Sequence, residues 1–155
     1  MSGVRSAFSL VEVLVVVVIL GILAALVVPQ FSSATDSAQT TSIESTLATV
    51  RGSIASYRTK AIVSGGDPYP TLAELNAKGV ILTDGVPANP FTRVSGVQSV
   101  SLQQAQTRAV VNESSAGWCY YVNNDSVPPQ AIFYANTTQM TTREDGSATV
   151  PANRL

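Results

Sequence analysis

The chain has 155 residues, 45% of them hydrophobic and 12% charged, with nine Lys+Arg set against ten Asp+Glu. A balance so close to neutral leaves no electrostatic footprint for nucleic acid. There is no His and one cysteine, Cys119, which excludes His/Cys metal sites, Ser–His triads, Cys–His nucleophiles and an intrachain disulfide together.

Residues 1–7 form a short leader whose single charge, Arg5, favours keeping that end cytoplasmic. The next stretch, residues 8–28, reads FSLVEVLVVVVILGILAALVV and is apolar except for Ser9 and Glu12. About 20 apolar residues rising about 1.5 Å each cross a bilayer core of about 30 Å, so this stretch is expected to be a transmembrane helix. An unpaired charge within such a helix costs about 2.5–3.5 kcal/mol and marks a functional position by default. Two readings of Glu12 stand side by side. It lies close enough to the helix end to reach headgroups and water, or it meets a cation inside an assembly. No Lys, Arg or His occurs between Arg5 and Arg51, so that cation would come from another chain or from an amino terminus freed by cleavage. A single-pass helix with one acid and no internal base is better satisfied against copies of itself, and head-to-tail association of that kind gives open helical filaments.

The run Ala7-Phe8-Ser9-Leu10-Val11-Glu12, the Val-rich segment after it, Gly21-Ile22-Leu23-Ala24-Ala25 and then Pro29 resembles the amino terminus of type IV pilins and type II secretion pseudopilins. The resemblance covers about the first fifth of the chain. It implies cleavage by a prepilin peptidase between Ala7 and Phe8, methylation of the new Phe8 amine, and pairing of Glu12 with that amine on a neighbouring subunit. The family usually has Gly before the Phe, where this chain has Ala7. The resemblance further implies a homo-oligomeric helical filament, an inner-membrane assembly platform with its ATPase, and minor pilin-like subunits. The chain would sit first in the bacterial cytoplasmic membrane with its carboxyl-terminal domain outside the cytoplasm, and then in a periplasmic or surface filament.

Gly21 and Pro29 are the weak points of the helix, since Gly lowers helix preference by about 1 kcal/mol relative to Ala and Pro kinks a helix. In the resembled family the segment between a matching Gly and Pro can lose helical order. Residues 29–64 keep a helical period: Ile43, Leu47, Val50, Ile54, Tyr57 and Ala61 recur at alternating spacings of four and three, one apolar stripe. Glu44, Arg51, Arg58 and Lys60 fall off the stripe. This soluble half of the long helix is expected to end near Val63, at Ser64-Gly65-Gly66, and to depend on packing because Ser and Thr are mediocre helix formers.

Residues 65–155 are expected to complete one globular domain with residues 29–64. Thr71-Leu72-Ala73-Glu74 is a capping-box pattern for a small helix, with Gly79 as its stop and Leu72 and Leu75 packed on the long helix. Thr83-Asp84-Gly85 and Asn89-Pro90 are turn signals. The order Tyr-Pro-Thr, short helix, Pro-Ala-Asn-Pro-Phe loosely resembles major pseudopilins. Four strands are expected, at 98–102, 109–112, 117–122 and 131–134, with Trp118, Tyr120 and Val122 alternating against Cys119 and Tyr121 and with a turn at Asn123-Asn124-Asp125-Ser126. The expected fold is α+β and pilin-like, a long amino-terminal helix packed on a small carboxyl-terminal antiparallel sheet.

No catalytic constellation is evident, so the chain is not expected to be an enzyme and no cofactor is expected. Asp125 beside Asn123 and Asn124, or Glu144-Asp145-Gly146, offers oxygen ligands for Ca²⁺, an idea the pseudopilin resemblance raises, but solvated turns are the better account. The Tyr and Trp residues and Cys119 read as core. The functional expectation is a structural filament subunit, leaning to a major type II secretion pseudopilin. The rivals are a type IV pilin for adhesion, motility or DNA uptake, and a single-pass membrane-anchored binding module. An ordinary signal peptide cut near Ser32-Ser33-Ala34 is disfavoured because the apolar run exceeds the usual length of about 7–15 residues.

Overall fold

The apolar stripe read between Ile43 and Ala61 is the seam on which the folded part of the chain is built. In the computed structural model, which describes residues 9–142 and 149–155 (backbone only at 29, 30, 32 and 33), helix α1 runs over Leu10–Ser64. The described chain divides into two compact units at Asp36 and Ser37. In the second unit Ile43, Leu47, Val50, Ile54 and Ala61 are buried and Tyr57 is half-buried. The helix closes as its sequence predicts. Gly65 takes a φ of +73°, its N–H reaches the Ile62 carbonyl, and the Gly66 N–H donates to the Ala61 carbonyl at 2.9 Å. This is the left-handed glycine cap that satisfies the last carbonyls of a helix.

The remaining elements are α2 (Leu72–Asn76), β1 (Val97–Ser99), α3 (Leu102–Thr107), β2 (Trp118–Asn123), β3 (Gln130–Ala135) and a closing 3-10 turn (Ala152–Arg154). Both capping-box bonds predicted for α2 form: the Glu74 N–H donates to Thr71 Oγ1 at 3.3 Å, and the Thr71 N–H donates to Glu74 Oε2 at 2.7 Å. Leu75 is fully buried with the α1 stripe, and Leu72 packs against the same cluster. Gly79 is not the stop. The helix closes at Ala77, whose N–H donates to Ala73, while Gly79 at φ +80° turns the following loop.

The three strands lie in the order β1-β2-β3. β2 and β3 pair antiparallel, Trp118 opposite Ala135 through Asn123 opposite Gln130, and the predicted turn joins them, Asn123 Oδ1 accepting from the Asp125 and Ser126 N–H groups. β1 pairs parallel with β2, so the sheet is mixed where an antiparallel one was expected. The reason is α3. Ser101 caps it, accepting from the Gln104 N–H while Gln104 Oε1 accepts from the Ser101 N–H, and the crossover through this helix returns the chain in the same direction, as a parallel pair needs. The S-x-x-Q pattern at Ser101 was the available signal.

Nor is 109–112 a strand. Arg108 just before it and Asn112 at its end lie in the left-handed region, and the Asn136 side-chain amide stands in for a strand partner, accepting from the Val111 N–H and donating to the Val111 carbonyl, both at 2.8 Å.

The two faces of β2 bury different neighbours, as alternation requires. Trp118, Tyr120 and Val122 join Phe133 and the α1 stripe, with the Trp118 and Phe133 rings stacked at 5.4 Å. Cys119 and Tyr121 face Ala105 of α3, with Tyr134 and Val100. The core is thus an α1–sheet layer with a smaller α3 layer behind it.

Candidate functional site

The first unit supplies the functional helix. From Leu10 to Val28 its mean hydropathy is 3.2 and none of its residues is buried. Leu10, Leu20, Leu26 and Phe31 are 59–80% exposed. A helix that is apolar all round is stable only within lipid or among other apolar helices. Glu12 lies in its first turn, where the Glu12 and Val13 N–H groups both donate to the Ser9 carbonyl. The Glu12 side chain is exposed, and the described residues of this unit, 9–36, contain no Lys, Arg or His. Ala7 and Phe8, the expected cleavage and methylation positions, lie outside the described residues. The helix passes through Gly21 and Pro29, and nothing beyond Gly21's chain neighbours and the adjacent helix backbone lies within 4 Å of where a Gly21 Cβ would be.

The second unit holds the residues weighed as alternative sites. Cys119 and Tyr134 are buried in the core, and burial raises both the Cys119 thiol and the Tyr134 phenol above their ordinary pKa. Tyr120 is raised likewise by burial; its hydroxyl donates to the Pro70 carbonyl at 2.9 Å. Asp125 is an exposed turn residue, and no cluster of three or more acidic or thiol side chains able to hold a metal occurs among the described residues. Glu144-Asp145-Gly146 lies outside them.

A residue that sequence reasoning set aside is Arg51. It leaves the exposed face of α1 to donate to the Phe133 carbonyl at 3.0 Å and to a main-chain oxygen of Leu155, the last residue of the sequence, at 3.1 Å. Its pKa is lowered by burial and then by the nearby charge of Arg108.

Residues 4–28 match the family model described as the prokaryotic N-terminal methylation motif. The chain is 36% identical over 83 residues to the type IV narrow pilus major component PilA5 of Thermus thermophilus, covering 54% of this chain and 58% of that protein. It is 46% identical over 54 residues to the type II secretion system core protein G of Pseudomonas aeruginosa, covering 35% of this chain and 38% of that protein. The matched stretch therefore spans little more than half of one relative and well under half of the other. No solved structure matches the chain. The motif, the exposed apolar helix and the helix-on-sheet domain make the chain similar to type IV pilin-like structural subunits, a class that takes in both pilins and pseudopilins.

Proposed function

We propose that the chain is the repeating subunit of a helical filament, a major pseudopilin of a type II secretion system. The observation that carries this reading is the exposed apolar helix with one carboxylate and no cation of its own. In lipid the apolar surface is satisfied and Glu12 is not. Cleavage before Phe8 creates an amine, methylated in this reading, and a neighbouring subunit's amine meets Glu12 in a low-dielectric setting where the pairing is strong. The subunit waits in the inner membrane with its sheet domain outside the cytoplasm. A prepilin peptidase trims it, and an assembly platform with its ATPase draws it into a filament begun by minor pilin-like subunits. Gly21 to Pro29 is the extensible stretch of the filament core. Neither Ca²⁺ nor another cofactor is part of this reading.

The secretion role is favoured over a surface pilus by the lone buried cysteine, which leaves no second thiol for the carboxyl-terminal staple of many major pilins. The longer match to a pilus component favours the alternative, a type IV pilin.

Mass spectrometry of the amino-terminal peptide, on protein from membranes and from sheared surface material, tests the reading. A chain beginning at methylated Phe8 is expected. A chain that still begins at Met1 supports a plain membrane-anchored binding module, and a start near Thr35 means a secreted domain. Deletion of the chain then separates the two filament roles: loss of secreted proteins with surface fibres intact marks the pseudopilin, and the reverse marks the pilin.

A further inference from the structure

Asn followed two residues later by Ser or Thr, with no Pro between, is the acceptor pattern for attaching a sugar to an asparagine amide. The chain carries it three times, at Asn112-Glu113-Ser114, Asn124-Asp125-Ser126 and Asn136-Thr137-Thr138. A three-residue pattern recurs by chance, so the fold and not the motif has to choose among them. Asn136 is fully buried, and its Nδ2 donates to the Val111 and Ala116 carbonyls, both at 2.8 Å. A side-chain amide has two N–H donors, so both are spent and a sugar there would displace the core. Asn124 is half-buried, and Tyr69 holds both ends of its amide: Oδ1 accepts from the Tyr69 N–H at 3.0 Å and Nδ2 donates to the Tyr69 carbonyl at 2.9 Å. Asn112 is the opposite case. Residues 112–115, on the loop between α3 and β2, are all exposed. Their turn is closed through the Asn112 carbonyl, which accepts from the Ser115 N–H at 3.0 Å and from the Ser115 hydroxyl at 2.9 Å. Asn112 takes a φ of +41°, a left-handed conformation that Asn adopts more readily than most residues. Its side chain enters the turn through oxygen, Oδ1 accepting from the Ser114 hydroxyl at 2.7 Å.

We propose that Asn112 is an N-glycosylation site, modified by a transferase that reads Asn112 and Ser114 and uses a glycosyl phosphate or diphosphate as donor. The bond between the anomeric carbon of the sugar and the donor's phosphate oxygen breaks, and the phosphate leaves with the electron pair. A bond from that carbon to Asn112 Nδ2 forms, and one Nδ2 proton passes to a base of the transferase. The product keeps the amide oxygen and one N–H. The Ser114 bond to Oδ1 and the main-chain closure of the turn therefore survive the modification, which neither Asn124 nor Asn136 offers without giving up contacts of the folded domain. The site does not rest on the filament reading, and a chain that never assembles would still present it.

The test is mass spectrometry of the full-length chain purified from the membranes of its natural host, with electron-transfer fragmentation, which leaves a sugar on the residue that carries it. A sugar on Asn112 is expected. Asn112→Asp, which suits the same left-handed backbone, should remove it, and so should Ser114→Ala. Ser114→Thr keeps the hydroxyl and should keep the sugar. Thr138→Ala and Ser126→Ala, which break the other two patterns, should leave it in place. An unchanged melting temperature in Asn112→Asp and Ser114→Ala checks that a lost sugar is not a lost fold. An Asn112 without sugar in the natural host overturns the proposal. So does a sugar on the Ser114 or Ser115 hydroxyl in place of Asn112, a sugar on Asn124 or Asn136 instead, or a sugar on Asn112 that persists in Ser114→Ala.

Discussion

Gly117 has no room for a side chain. A Cβ there would stand 2.1 Å from the Val94 carbonyl oxygen and 2.8 Å from the Asn89 Cβ, and Asn89 is fully buried, donating from Nδ2 to the Gly117 carbonyl at 2.9 Å. Neither neighbour is a flexible tip. Gly117→Ala should therefore cost about 1–3 kcal/mol, the range for overpacking, read as a lowered melting temperature of the chain in detergent. Glu74 acts at the same scale through charge. Its carboxylate accepts from the Thr71 N–H and hydroxyl, and chiefly the backbone bond holds its pKa below the ordinary value. The unfolded carboxyl titrates near about 4.3, so this contribution is full above that pH and is lost as pH falls through the lower folded value. Melting temperature should drop on acidification through that window. Glu74→Gln keeps the capping geometry without the charge, and it should flatten this part of the pH dependence.

At the scale of elements, the soluble half of α1 is held by packing and not by propensity. Thr41, Thr46, Thr49 and Thr59 return their hydroxyls to carbonyls four residues back, a habit that slightly weakens and bends helices. What offsets it is the seam of Ile43, Leu47, Val50 and Ile54 against Trp118, Tyr120 and Phe133. Leu47→Ala, at a site 2% exposed, should cost about 2–5 kcal/mol. Hydrogen exchange should speed in β2 and β3 as well as in α1, since both sides of the layer lose their contact. Exchange that speeds in α1 alone would mean that the sheet holds together without it.

For the molecule as a whole, the proposed assembly role rests on one residue in a long apolar surface. Glu12→Leu removes the only ionisable group between residues 9 and 28, so membrane insertion should be unimpaired or improved. Filament yield, measured by shearing and immunoblotting, should fall at least roughly tenfold, the worth of about 1.4 kcal/mol per subunit contact. Wild-type yield in Glu12→Leu would remove the amine-pairing role and leave the helix as a tether. The alternative role of Glu12, reaching headgroups near the helix end, predicts that outcome.

Much of this could be read from the chain alone, and what could be read shares a physical cause. The apolar helix, the α1 stripe, the Gly65 cap, the Thr71 capping box and the alternation along β2 all depend on residues within one or two turns of each other, so their periodicity is written locally. The amino-terminal motif was legible for the same reason, because it is one contiguous stretch, residues 4–28. Tertiary structure alone decided the rest. Whether β1 runs parallel or antiparallel to β2 depends on the crossover through α3. The stretch 109–112 has strand-like composition, but its partner is the side chain of Asn136, 25 residues further along the sequence from Val111. Arg51 and Arg108 are scattered charges in the sequence, and only the fold brings both to a main-chain oxygen of Leu155. Long-range juxtaposition leaves no local period, and that is where reading the sequence stops.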